Sequence, residues 1–176
     1  AAVYDFPAGG SFVPTDISQQ TELLGAAKFT GQSGNLRYGA LIASEDDTQI
    51  QGTLADGTPV TAQAEGRDFL IARMLYEVTS AGGRRSIGWM GTTIDHPTVD
   101  ATVNGIDAHY FSADNKLVVD AQLFHSDVSD VTGAGGMADF QFRPERGKQH
   151  TVRATYFDET LDINELGFLT RNDQMN

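Results

Sequence analysis

The chain has 176 residues, a formal net charge of -12, a pI near 4.5 and no cysteine. That is enough for one domain with its own core and too little for two. The surplus negative charge repels a nucleic-acid backbone or an anionic inner-leaflet surface and leaves a cationic ligand or divalent ion compatible, while the lack of cysteine excludes disulfides, thiolate metal sites and a cysteine nucleophile and fits the cytosol or an envelope protein.

The chain opens on Ala1 with no signal segment before it, and Arg171 to Asn176 has no closing element, so the sequence reads as a piece of a longer polypeptide. Residues 1–20 are poorly periodic and carry Pro7, Gly9, Gly10 and Pro14, which predicts an extended lead-in. Leu23 to Gln32 and Leu36 to Ser44 flank Ser33, Gly34 and Asn35, residues that tolerate the positive φ of a tight hairpin turn. The polar segment 45–67, with Asp46, Asp47, Gly52, Asp56, Gly57 and Pro59, reads as a long acidic loop with a short strand near Val60.

From Asp68 the alternation becomes regular, with one dry and one wet face per strand. Leu70, Ala72, Met74, Tyr76 and Val78 oppose Arg73, Glu77 and Thr79. Ala81 to Arg85 turns the chain into Ser86 to Ile94, where Gly88 and Gly91 dilute the pattern and leave the face of Trp89 open. Ile106, Ala108 and Tyr110 oppose Asp107 and His109, and after a turn at Ala113 to Asn115, Leu117, Val119, Ala121 and Leu123 oppose Asp120 and Gln122. Asp127 to Gly136 reads as a loop. Beyond it Ala138, Phe140 and Phe142 oppose Asp139, Gln141 and Arg143, and a hairpin at Pro144 to Gly147 leads to Val152, Ala154 and Tyr156 opposite Thr151, Arg153 and Thr155.

The longest apolar runs are a few residues, far short of the roughly 20 a spanning helix needs, so any membrane contact must be made by strands. An antiparallel sheet with one face on a soluble core has the same alternation. Two features favour a membrane barrel. The strands run towards the nine to eleven residues of a tilted bilayer-spanning strand, and the wet faces carry opposite charges at matching depth, as a charged lumen would.

Six segments carry a resemblance: LLGAAKFTG (Leu23 to Gly31), RYGALIA (Arg37 to Ala43), RRSIGWMGT (Arg84 to Thr92), NGIDAHYFSADN (Asn104 to Asn115), ADFQFRP (Ala138 to Pro144) and ATYFDETLDINELGFLTRND (Ala154 to Asp173). Their order resembles the barrel portion of bacterial envelope proteins in which a carbohydrate-binding-like β-sandwich precedes a large outer-membrane-type β-barrel of unknown function. Asp162 to Arg171 is its most specific part, and the acidic segment 45–66 departs from it. The resemblance implies an all-β, antiparallel up-and-down meander of about eight strands over residues 21–176, forming part of a membrane-type barrel. It further implies a bacterial outer-membrane location, lipid and the remaining strands of the parent chain as partners, and a saccharide or other small solute as ligand. It carries over no catalytic residue.

The residues themselves supply no reaction. His96, His109, His125 and His150 lack HxxxH or HExxH spacing, and only His109 lies on a wet face. Asp127 and Asp130 in SDVSDVTGAGG superficially suggest an oxygen-ligand calcium site but lack the DxDxDG spacing, and a solvated loop is the plainer reading. Asp46 and Asp47 are adjacent and point to opposite faces if extended, a poor acid–base pair. No serine lies in GxSxG, and the glycines form no phosphate-cradling motif. The expectation is a non-enzymatic barrel segment with no cofactor, metal or nucleic acid and a structural, transport or solute-capture role; the alternative is a soluble β-rich carbohydrate-binding module.

Overall fold

A computed structural model of the chain describes residues 13–14, 22–96, 99–163 and 174–175. Most of the lead-in expected over 1–20, and residues 164–173 of the segment most specific to the resemblance, lie outside the described residues. Twelve strands are described: β1 (Val13–Pro14), β2 (Leu23–Ser33), β3 (Leu36–Glu45), β4 (Thr48–Thr53), β5 (Pro59–Ala64), β6 (Asp68–Ser80), β7 (Gly83–Asp95), β8 (Ala101–Ser112), β9 (Leu117–Val128), β10 (Val131–Glu145), β11 (Lys148–Phe157) and β12 (Gln174–Met175). They make a nine-stranded antiparallel sheet ordered β12-β11-β10-β9-β8-β7-β6-β3-β2 and a small sheet ordered β1-β4-β5. The large sheet is an up-and-down meander interrupted once, between β3 and β6, and among the described residues it does not close into a barrel.

The interruption is the acidic segment expected to be a loop. The strand anticipated near Val60 is β5, and it pairs with β4 from Thr48↔Ala64 to Thr53↔Pro59. Val60 and Ala62 alternate with polar neighbours, and Asp56 and Gly57 supply the turn, Gly57 with a φ of 83°. Asp127 to Gly136 is corrected more sharply. Only Ser129 and Asp130, both at positive φ, turn the chain, and Val131 to Gly136 are the start of β10. The glycines that suggested a loop are strand glycines. A Cβ on Gly133 would lie 2.3 Å from the Leu161 backbone nitrogen, and one on Gly135 would strike the Phe157 ring, so chain is packed against this stretch.

Cross-strand register fixes the two faces. One row runs Tyr38, Met74, Trp89, Ile106, Leu123, Gly136 and Tyr156, which assigns Trp89 to the apolar face. The next parallel row runs Leu36, Tyr76, Ile87, Ala108, Ala121, Ala138 and Ala154. The alternate face carries Arg73, Glu77, Asp107, His109, Asp120, Asp139 and Arg153. Every face expected for β6 and β8 to β11 is reproduced, because period two admits only two phases and each apolar set fills one of them.

Among the described residues no segment covers the apolar face. Phe29, Ile42, Met74, Ile87, Leu123 and Val152 are all more than half exposed. Buried apolar residues among those described are only Ala62, Ile94, Ala101 and Leu161. Three of these sit at one end of the charged face, where the chain after β11 folds back: Leu161 is fully buried, and the Asp162 amide donates to the Ser126 hydroxyl at 3.0 Å.

The two ends of the sheet differ. At one end Ser33 pairs with Leu36, Ser80 with Gly83 and Glu145 with Lys148, each across a two-residue turn. Only the β8–β9 turn is longer there, with Asn115 at positive φ. At the other end stand the β4–β5 excursion, the 96–100 connection and the segment that follows β11, beside one two-residue turn, Ser129 and Asp130 between β9 and β10. The short-turn end and the long-loop end are named by this difference below.

Candidate functional site

The charged face is ordered by one register row. Glu77, Ser86, His109, Asp120, Asp139 and Arg153 stand opposite one another across β6 to β11. Asp120 directly opposite Asp139 would be repulsive alone. His109 and Arg153 offset it from the two sides: His109 Nδ1 lies 2.6 Å from Asp120 Oδ1, and Arg153 Nε donates to the Asp139 oxygens at 2.9 and 3.1 Å.

A second element crosses a strand. Arg73 on β6 reaches over β7 and donates to Asp107 on β8. The position between them is Gly88, which pairs with Leu75 on one side and Asp107 on the other. A Cβ there would lie 2.6 Å from the Arg73 guanidinium and 2.7 Å from both Asp107 carboxylate oxygens. Glycine is therefore the residue that lets the pair form. The Asp107 side chain is only 10% exposed, and its Oδ2 lies 3.2 Å from His109 Nε2 without hydrogen-bond alignment. At such burial the partner matters, since an isolated carboxylate would carry most of its desolvation cost uncompensated.

His109 is thus flanked by carboxylates at both ring nitrogens. Glu77 is shared by Arg37 at 3.6 Å and Arg84 at 3.8 Å. Beside the network a cavity of about 270 Å³ is lined by Arg73, Met90, Asp107, His109, Gln122 and Phe124. Mixed donors, acceptors and an aromatic ring suit a small neutral polar solute better than an ion, because the nearby charges already have partners.

The other histidines do not join this set. His96 is buried in the β7–β8 connection. His125 falls on the apolar-face phase of β9, and His150 stacks on Phe142 with centroids 6.5 Å apart. Among the described residues no group of three His, Asp or Glu side chains could hold a metal ion, Asp127 and Asp130 included. Asp47 has a local duty instead, accepting from Gln63 Nε2 and the Gly66 amide, both at 2.9 Å, while Asp46 accepts from the Asp47 amide.

The apolar face has its own construction. Tyr38 lies across the cross-strand Gly31, where a Cβ would meet the ring at 2.6 Å, and Trp89 covers Gly91 on its own strand while donating to Asn104 at 3.2 Å. Tyr110 donates to the Gly82 carbonyl of the neighbouring turn. The apolar band also drifts across the register. Ile42 and Leu70 share a row with Thr93, Thr102, Asp127 and Thr132, whereas Leu117 and Phe142 pair at the far end of their strands, where β6 to β8 end in the row Ser80, Gly83 and Ser112. A level band crossed by tilted strands has this form.

The sequence marked the individual charges but not their partnerships. Arg73 and Asp107 are brought together across an intervening strand, and the one signal for it was a wet-face glycine, Gly88, between strands bearing opposite charges. No protein-family model, no curated protein and no solved structure matches this chain.

Proposed function

We propose that this chain is part of a bacterial outer-membrane β-barrel, with its apolar face against lipid, its charged face lining the interior, and a structural, transport or solute-capture role without catalysis. One observation carries the reading: a continuous apolar face that no described segment covers extends over eight long strands, while the charges of those strands are concentrated on the other face. Exposed apolar patches on soluble monomers are rarely so large. Supporting it are the lengths of β2, β3 and β6 to β11, 10 to 15 residues each, the longer connections gathered at one end beside a single two-residue turn, and Tyr110 near the band edge. Among the described residues the outermost strands of the large sheet are β2 and the two-residue β12, and those edges take further strands of a longer parent chain. The interior solute is small and polar, and a saccharide is the class the resemblance implies.

The chain has no cysteine, so single cysteines substituted at Phe140 and Asp139 can each carry an environment-sensitive probe in reconstituted vesicles. The expected result is quenching of the probe at position 140 by lipid-borne quenchers and of that at 139 only from water. If lipid quenches neither and the protein stays soluble, the soluble β-rich binding module replaces this reading, with its apolar face covered by protein.

A further inference from the structure

The charges outside the network are separated by end. At the long-loop end Glu45, Asp46, Asp68, Asp95, Asp100 and Asp130 outweigh Arg67, the one described arginine or lysine there. At the short-turn end the balance reverses: Arg84, Arg85, Lys116, Arg143, Arg146 and Lys148 stand against Asp114 and Glu145, with Arg84 also 3.8 Å from the Glu77 it shares with Arg37. Lys116 and Lys148 are drawn to those two carboxylates. Arg143 binds the amide oxygens of Gln149 and Gln141, and among the described residues no carboxylate contacts Arg85.

We infer that the short-turn end binds anionic phospholipid headgroups, an inference that rests on the membrane reading above. Arg85 carries the argument furthest. It lies on the apolar face, in the row Val78, Arg85, Tyr110, Val119, with exposed Ile87 next along the same face. A guanidinium there is tolerable only if its stem lies along the band and its head reaches the headgroup layer. Tyr110 beside it marks that level. Arg143, Arg146 and the lysines continue the cationic rim around the β8–β9 and β10–β11 turns, where a groove of about 450 Å³ opens between them.

The net charge of -12 argued against an anionic surface, but that argument treats the chain as a point. Strands of 12 to 13 residues are about 40 Å long at roughly 3.3 Å per residue, while charges are screened over about 8 Å at physiological salt. The two ends therefore act separately, and the acids of one do not cancel the attraction of the other.

The test places a tryptophan beside Arg85, as Ile87→Trp in a Trp89→Phe background, in vesicles of mixed phosphatidylcholine and phosphatidylglycerol with bromine on one lipid or the other. Quenching by brominated phosphatidylglycerol should exceed that by the choline lipid, with a preference of at least about five-fold, the discrimination worth one basic residue near a surface. The preference should disappear in Arg85→Gln/Arg143→Gln/Arg146→Gln and fall with added salt in the unsubstituted background. Equal quenching by both lipids overturns this inference and leaves the membrane reading standing. Quenching by neither overturns both.

Discussion

Arg73 and Met74 are neighbours on β6, and the two faces of the sheet solve opposite problems at these positions. Arg73 spans a strand to reach Asp107, which has almost no solvent left, and Gly88 is kept bare beneath the contact. Met74 is 52% exposed and stands between Tyr38 and Trp89 in the register. One face is determined by specific partners, so each residue depends on the identity of another. The other requires only that its residues be apolar and fill the pleat. The lesson is that the same period-two pattern carries two kinds of information. The charged face specifies which strands are neighbours and in what register, and the apolar face specifies what surrounds the sheet.

Substitution at these two neighbours should break that symmetry. Arg73→Ala leaves the Asp107 carboxylate without its main partner and should destabilise the sheet by about 3 kcal/mol, towards the low end for a broken buried pair because Arg73 still reaches solvent. Met74→Ala removes an exposed side chain and should cost within about 1 kcal/mol. Urea unfolding in detergent micelles, followed by Trp89 fluorescence, compares the two directly, and equal losses would remove the distinction between the faces. The intermediate case is Gly88→Ala, which should cost about 2 kcal/mol by pushing a methyl group into the guanidinium and carboxylate. In the Arg73→Ala background that cost should shrink, since half of the obstruction is gone. A double-mutant cycle with no coupling would mean that Gly88 serves some purpose other than this pair.

Much of the fold was legible because alternation has only two phases. The facing sets of β6, β8, β9, β10 and β11 follow from Leu70, Ile106, Leu117, Ala138 and Val152 and their period-two successors. Trp89 escaped because both nearby glycines are silent in a polarity count, although each lies under a large group: Gly88 under the ion pair and Gly91 under the Trp89 ring. Val131 to Gly136 was misread for a related reason. Glycine signals a turn when considered locally, but here it marks where Leu161 and Phe157, distant in sequence, lie on the strand. The belt from Glu77 to Arg153 was legible only as opposite charges at matching depth on the wet faces, not as a set of particular neighbours. It is a property of register across six strands, and register is fixed by pairing rather than by any one strand's residues.

Turns lie outside both faces, and a last, smaller effect separates them from the charged network. Asp114, in the β8–β9 turn, accepts from the Ser112 hydroxyl at 2.6 Å and from the Lys116 amide at 3.1 Å. The first of these bonds, then the second, holds its carboxyl below the ordinary value of 3.8. A carboxyl with a depressed folded pKa stabilises the fold above its unfolded pKa, and that contribution is lost as pH falls through the folded value. The stability difference between the chain and Asp114→Ala should therefore be constant near neutrality and shrink as the pH drops below about 3.8. Because this group is wholly exposed, the effect should also be the smallest here, well under that of Gly88→Ala. A difference that persists unchanged down to pH 2 would assign the turn's contribution to backbone geometry at Asn115, whose φ is 56°, rather than to the ionised carboxylate.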